Sequence, residues 1–205
     1  MLQTHLLAFG ITHLTDARYF AAWEADYLCF PIGPEGLSLD YFVAIREWVE
    51  GPTCVVEWRR SAGEMLSPEA LKGHNITHLL LDYDIDPTDW TAAGLEVIRR
   101  IPVAGYHSTE DVAERVKSTT GTVLLDFTDG GIVYDDLAEG SPFTIGELQQ
   151  VLGDRPAYLH IDLATEDAEA AAAVFHGLAL RGSSEEKVGY KSFDDLDDLL
   201  EALEG

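Results

Sequence analysis

The chain has 205 residues, 46% of them hydrophobic, and 37 acidic against 13 basic residues give it a formal net charge of −24. This length suits one domain with a full hydrophobic core, and we expect residues 1–205 to form a single domain. A charge this negative repels nucleic acids and anionic membranes, so neither is expected as a partner. The acidic residues are spread along the chain, as in proteins adapted to high salt, whereas a basic protein partner would require them on one face.

Signals for secretion or membrane insertion are not found in the sequence. No apolar run approaches the length of a membrane span, and the first residues lack a basic region followed by an apolar stretch and a small-residue cleavage site. Cys29 and Cys54 both lie in apolar runs, where buried free thiols are more common than a disulfide. We therefore expect a cytoplasmic protein, either a monomer or a homodimer.

The hydrophobic pattern predicts eight strands that alternate with eight helices. The predicted strands are 6–9, 26–30, 53–58, 76–82, 101–106, 122–126, 157–162 and 175–180. The predicted helices are 16–24, 38–49, a weaker one after 67–69, 88–100, 109–116, 144–152, 165–173 and 193–203. Such alternation over short connections indicates a parallel sheet, and eight units favour closure into a barrel. The predicted fold class is therefore α/β, a single (β/α)8 TIM barrel. An open doubly wound sheet is the alternative, although no G-x-G-x-x-G follows the first strand.

Active sites of (β/α)8 barrels lie at the carboxyl ends of the strands. The residues that end the predicted strands are Phe9, Phe30, Trp58, Asp82, Tyr106, Asp126, Asp162 and Arg181. His160 lies two residues before Asp162, on the same side of that strand. The three aspartates together with this imidazole could hold Mg²⁺ or Mn²⁺. Acidic residues are abundant throughout the chain, and no metal site is assigned.

Three stretches of the chain resemble the phosphoribosylanthranilate isomerase family, the (β/α)8 enzymes of tryptophan biosynthesis. The first strand is followed by GIT at 10–12, Asp-Ala at 16–17 and ADYLCF at 25–30, similar to the family's opening. LLD at 124–126 with Gly-Gly at 130–131 resembles its sixth strand and loop. Residues 182–191 resemble its closing motif, with Glu185, Gly189 and Lys191 at matching positions.

The resemblance implies an Amadori rearrangement of a phosphorylated aminoaldose to an aminoketose, with no cofactor. In this reaction an acid protonates the furanose oxygen and a base removes the C2′ proton. The resemblance assigns Asp126 as the acid. It also implies that Gly182, Ser183 and Ser184 bind the substrate phosphate, with Arg181 adding positive charge. The expected partner is therefore a small phosphorylated metabolite.

The sequence departs from the family at the proton-transfer site and at the substrate contacts. Phe9 stands where the family has the cysteine that acts as the base. Asp162 lies where the family has glycines of a second phosphate half-site, and the family's strand-four histidine and substrate-loop arginine are absent. Cys29 could act as a base only if its strand register differs from the predicted one, because its side chain points opposite to that of Phe30. Weak or changed activity is therefore expected. The alternatives are a non-catalytic barrel that acts as a binding module and a metal-dependent enzyme for another small molecule.

Overall fold

Eight parallel strands close into a barrel in which each strand pairs with its sequence neighbours and β8 pairs with β1. The computed structural model describes residues 2–58, 66–182, 185–187 and 190–205; for 185–187 and 190–191 it describes the backbone alone. The barrel strands are β1 (His5–Phe9), β2 (Tyr27–Pro31), β3 (Thr53–Trp58), β4 (His78–Asp82), β5 (Glu96–Pro102), β6 (Val123–Asp126), β7 (Ala157–His160) and β8 (Gly177–Arg181). The (β/α)8 barrel predicted from the sequence is confirmed.

Helices cover the outside of this barrel. They are α1 (Leu14–Ala22), α2 (Leu39–Arg46), α3 (Pro68–Gly73), α4 (Thr88–Ala92), α5 (Thr109–Lys117), α6 (Tyr134–Glu139), α7 (Ile145–Leu152), α8 (Ala168–Val174) and α9 (Asp194–Ala202). A short antiparallel hairpin, β9 (Glu185–Lys187) and β10 (Tyr190–Lys191), separates β8 from α9. None of the described helices is long and apolar enough to span a membrane.

Side chains alternate between two hydrophobic cores along each strand, because successive residues of a strand point to opposite faces. Leu7 and Phe9 of β1 belong to the core inside the barrel, whereas Leu6 and Ala8 pack between the barrel and its helices. The inner core consists of Leu7, Phe9, Cys29, Val55, Leu80, Ile98, Leu124, Tyr158 and Ala179. This alternation decides which strand-end residues reach the mouth of the barrel.

The predicted helix 88–100 and predicted strand 101–106 are wrong in their boundaries. Helix α4 ends at Ala92, and β5 already begins at Glu96. Gly94 adopts a φ of +85°, a left-handed conformation that ends helices and that side-chain-bearing residues rarely adopt. As a result, Tyr106 does not end a strand but lies in the loop that follows β5.

The seventh strand is also shorter than predicted. It ends at His160, and Asp162 forms an isolated bridge with Val133 beyond the barrel. His160 therefore takes the strand-end position that the sequence pattern gave to Asp162.

Candidate active site

Polar side chains crowd the carboxyl end of the barrel interior. Alternation from the inner core residues Val55, Leu80, Ile98, Leu124 and Tyr158 brings the residue two positions further along each strand to the same inner face. With Phe9, these residues form what we call the mouth layer: Phe9, Glu57, Asp82, Arg100, Asp126 and His160. Three carboxylates, one guanidinium and one imidazole thus share the position where (β/α)8 barrels carry their active sites.

Asp126 and His160 form a buried hydrogen-bonded pair across neighbouring strands. They are register partners on β6 and β7, and Asp126 Oδ1 lies 2.9 Å from His160 Nδ1. The same oxygen accepts hydrogen bonds from the backbone N–H of Thr128 at 3.2 Å and from its hydroxyl at 2.7 Å. Burial alone would raise the pKa of Asp126, but the hydrogen bonds from His160 and Thr128 outweigh it and lower this pKa to about 2. Asp126 is therefore a carboxylate at neutral pH.

The charge on Asp126 fixes the tautomer of His160. An ionised carboxylate only accepts hydrogen bonds, so Nδ1 of the imidazole carries the proton. The lone pair of a neutral ring is then on Nε2, for which no hydrogen bond is recorded among the described residues. The ring also makes an edge-to-face contact with Phe9, at 4.4 Å between centroids. The geometry is that of a carboxylate-oriented imidazole with one nitrogen free for proton transfer.

A second charged group in the mouth layer is centred on Arg100. Its Nε donates to Asp82 Oδ1 at 2.9 Å, its Nη2 donates to the same oxygen, and its Nη1 lies 3.8 Å from Glu57 Oε1. Glu57 is only 1% exposed and accepts a hydrogen bond from the backbone N–H of Gly10 at 3.0 Å. Arg100 thus lies within ion-pair distance of two carboxylates in the barrel interior, and its single positive charge offsets part of their negative charge.

Of the four predicted phosphate-binding residues, Arg181 and Gly182 are described, whereas Ser183 and Ser184 lie outside the described residues. Arg181 ends β8 and is exposed, and a Cβ built on Gly10 would lie 3.3 Å from its Nε. A Cβ built on Gly182 would lie 3.0 Å from Oδ2 of the buried Asp16. Arg181 thus brings positive charge to the first loop of the barrel, and the buried side chain of Asp16 lies beside Gly182.

The aspartates considered for metal binding are engaged in other contacts or lie apart from the mouth layer. Asp82 pairs with Arg100, Asp126 pairs with His160, and Asp162 lies beyond β7. Within the described part of the chain, no group of three or more His, Cys, Asp or Glu side chains is arranged to hold a metal ion.

Cys29, the nearest thiol to the predicted base position, faces the barrel interior as part of the inner core. It is fully buried, and burial raises the pKa of its thiol well above the ordinary value. The thiol is therefore protonated at neutral pH and is not a ready base.

Sequence reasoning missed Glu57 and Arg100, and it did not foresee that Asp126 and His160 touch. The sequence pattern ends the third strand with Trp58 as the candidate, whereas alternation from the inner core residue Val55 places Glu57 inside the barrel. Arg100 was assigned to a helix. The Asp126–His160 contact depends on the register of β6 against β7, which a single sequence does not reveal.

The fold is shared with solved structures of phosphoribosylanthranilate isomerase. The enzyme from Thermotoga maritima superimposes with a TM-score of 0.73 at 17% identity, the enzyme from Thermus thermophilus with 0.70 at 23%, and that from Pyrococcus furiosus with 0.68 at 15%. Each comparison covers 98% of both chains. No protein-family model and no curated protein sequence matches this chain. At these identities the likeness establishes a phosphoribosylanthranilate isomerase-like barrel.

Proposed function

We propose that this protein is an isomerase that transfers a proton within a small phosphorylated aminoaldose, by an Amadori rearrangement, and that His160 carries the proton. The observation that carries the proposal is the 2.9 Å contact between Asp126 Oδ1 and His160 Nδ1 at the carboxyl ends of β6 and β7. The likeness of the barrel to phosphoribosylanthranilate isomerases supports N-(5′-phosphoribosyl)anthranilate as the substrate to test.

One imidazole can serve both proton transfers of this reaction in turn. Protonated His160 gives its Nε2 proton to the furanose oxygen, and the C1′–O bond breaks to leave an open-chain iminium. The neutral ring then takes the C2′ proton, the C–H electron pair forms the C1′–C2′ double bond, and the iminium electrons return to nitrogen. The resulting enolamine gives the aminoketose in solvent, and His160 ends in its starting protonation state.

In this scheme Asp126 acts through His160. The sequence resemblance assigns it the role of proton donor, which requires a protonated carboxyl group. A pKa of about 2 instead keeps Asp126 charged, so that it orients the imidazole and faces the positive ring with a negative charge. Arg181 supplies the positive charge for the substrate phosphate at the end of β8.

A non-catalytic binding barrel is the second candidate, favoured by a different observation. Phe9 packs directly on His160, and Arg100 is ion-paired with both Asp82 and Glu57. Such a mouth layer has stable internal pairing without any substrate.

The two candidates are separated by turnover on N-(5′-phosphoribosyl)anthranilate generated in situ, at low and high KCl. We expect the wild type to turn over and His160→Asn to lose about 10²- to 10⁴-fold in kcat, the usual contribution of a general acid–base group. His13→Asn, at the exposed start of α1, is the matched control and should leave kcat unchanged.

Turnover that survives in His160→Asn would contradict the role of that residue. If wild type shows no turnover but binds an analogue of the aminoketose product, the binding-module candidate stands instead. A suitable analogue is reduced 1-(o-carboxyphenylamino)-1-deoxyribulose 5-phosphate, hereafter the aromatic analogue, which is bound in a structure of phosphoribosylanthranilate isomerase.

A further inference from the structure

Tyr106 is the most exposed of the large hydrophobic side chains in the described residues, with 86% of its surface open to solvent. It lies in the loop between β5 and α5, on the carboxyl side of the barrel. Trp48 is similarly exposed, at 71%, but it follows α2 on the outer wall. An aromatic ring exposed to water at the end of the barrel where the site opens is a surface on which another planar group can stack.

The loop that carries Tyr106 is ordered by hydrogen bonds that involve His107 and Arg115. Buried His107 accepts a hydrogen bond from the backbone N–H of Ala104 through Nδ1 at 2.9 Å, and its own backbone N–H donates to Ala104 O at 2.9 Å. Arg115 Nη2 lies 2.8 Å from His107 Nε2, and Arg115 Nη1 donates to Pro102 O at 2.7 Å. The guanidinium also sits 4.9 Å from the ring centre of Tyr83. The ring of Tyr106 meets that of His107 edge to face at 4.5 Å. The exposure of Tyr106 therefore belongs to an ordered loop.

This loop packs directly against the segment that bears Asp126. The backbone N–H of Val103 donates to Asp126 O at 2.8 Å. In the loop after β6, a Cβ built on Gly130 would lie only 2.5 Å from Val103 O and 2.7 Å from Ala104 Cα. Such an approach between backbones requires glycine. Tyr106 thus lies three residues after Val103, whose backbone N–H is hydrogen-bonded to the carbonyl oxygen of Asp126.

We infer that Tyr106 determines specificity at the Asp126–His160 site by stacking on an aromatic substituent of the substrate amine. The inference rests on the proposed function for the identity of the substrate. The rigid loop adds to the binding of the ring, since little freedom of the loop is lost when the ligand docks. Tyr106 takes no part in proton transfer, so it affects binding of aromatic substrates and leaves the chemical step alone.

The test compares two ligands that differ in the ring. The aromatic analogue and ribulose 5-phosphate both have a five-carbon chain with a terminal phosphate, and only the first carries an aryl group. We expect Tyr106→Ala to weaken binding of the aromatic analogue about 3- to 10-fold, the worth of one aromatic contact, and to leave binding of ribulose 5-phosphate unchanged. Tyr106→Phe should bind both ligands as the wild type does, and Trp48→Ala should bind both normally.

The outcomes distinguish the inference from the proposed function. Equal binding of the aromatic analogue by wild type and Tyr106→Ala overturns the inference, even if the protein turns over its substrate. Ring-dependent binding that needs Tyr106 in a protein without turnover supports the inference and contradicts the proposed activity. A wild type that fails to bind the aromatic analogue overturns the inference. A loss of ribulose 5-phosphate binding in Tyr106→Ala would show a general disturbance of the loop and also overturn it.

Discussion

The ring of Phe9 meets the imidazole of His160 edge to face, with centroids 4.4 Å apart and ring planes at 84°. Both side chains are buried, so this contact lies within the barrel mouth. A phenyl ring exchanges no proton, and it covers part of the surface of the one imidazole in the mouth layer. The chemistry of the site therefore depends on how much of His160 a substrate can reach beside Phe9.

Replacing Phe9 by cysteine should raise turnover, because it uncovers the imidazole and adds an ionisable thiol beside it. The matched control is Phe30→Cys, which removes an equally buried ring from the neighbouring strand on the side that faces the helices. Each variant should lose about 2–3 kcal/mol of stability from the lost packing. Only Phe9→Cys should gain kcat, measured with N-(5′-phosphoribosyl)anthranilate. An equal response of the two variants would show that the Phe9–His160 contact has no bearing on activity.

The lowered pKa of Asp126 predicts a stability difference that depends on pH. This pKa is about 2 in the folded protein against an ordinary value of 3.8. The unfolded chain therefore binds more protons between these values. The carboxylate contributes about 2 kcal/mol above pH 4, and this contribution is lost as pH falls from about 4 to 2.

The pH effect is measured as the difference in unfolding free energy between wild type and Asp126→Asn. The difference should be largest near neutral pH and should shrink as the pH falls through this range. Asp129→Asn, an exposed aspartate in the same loop, is the control and should show no such trend. A difference between wild type and Asp126→Asn that stays constant from pH 6 to 2 would contradict the ionised, hydrogen-bonded state of Asp126.

The barrel could be predicted from the sequence because its signal is repeated. Eight apolar runs at regular spacing outweigh an error in any one of them, and the wrongly placed helix 88–100 did not alter the predicted topology. Residues 97–100 fall in that predicted helix, although they belong to β5 in the structure. In the structure Arg100 enters the barrel to meet carboxylates of other strands, and Arg99 turns outward to donate to the carbonyls of Asp82, Tyr83 and Ile85.

The candidate site was less predictable because it depends on which side chains of different strands face one another. The resemblance of LLD at 124–126 and Gly-Gly at 130–131 to the family's sixth strand and loop identifies Asp126, which its strand-end position alone does not. Predicting its hydrogen bond to His160 requires the relative register of β6 and β7. Predicting the ion pair of Arg100 with Glu57 requires a contact between β5 and β3, which are separated by β4. Local periodicity carries no information on either relationship.

Replacing Arg100 by methionine should strongly destabilise the protein, because it removes the guanidinium that faces the carboxylates of Glu57 and Asp82 in the barrel. Breaking a largely buried ion pair from one side costs about 3 kcal/mol or more. The double variant Arg100→Met, Glu57→Gln should recover part of this loss, since the amide removes the charge of one of the two carboxylates that faced Arg100. Arg181→Met changes an exposed arginine at the end of β8 and should alter the unfolding free energy little. Unfolding free energies of all four proteins at fixed KCl give the comparison, and a double variant no more stable than Arg100→Met would contradict the coupling between Arg100 and Glu57.

The loop that carries Tyr106 should loosen under mildly acidic conditions. Burial and the nearby Arg115 guanidinium lower the pKa of His107 below its ordinary value of about 6.5. The unfolded chain therefore takes up a proton first as the pH falls. The stabilisation by neutral His107 is complete above pH 6.5 and declines as the pH falls toward the lowered value. Protonation also places a hydrogen on Nδ1, which then no longer accepts the Ala104 N–H.

In His107→Asn the amide oxygen can still accept that N–H without titrating, so the variant should lose less stability than the wild type between pH 7 and 5. His74→Asn, at the end of α3, serves as the control and should follow the wild type. Other histidines contribute equally to both proteins, so parallel pH profiles for wild type and His107→Asn would show that His107 is not held neutral in the folded state.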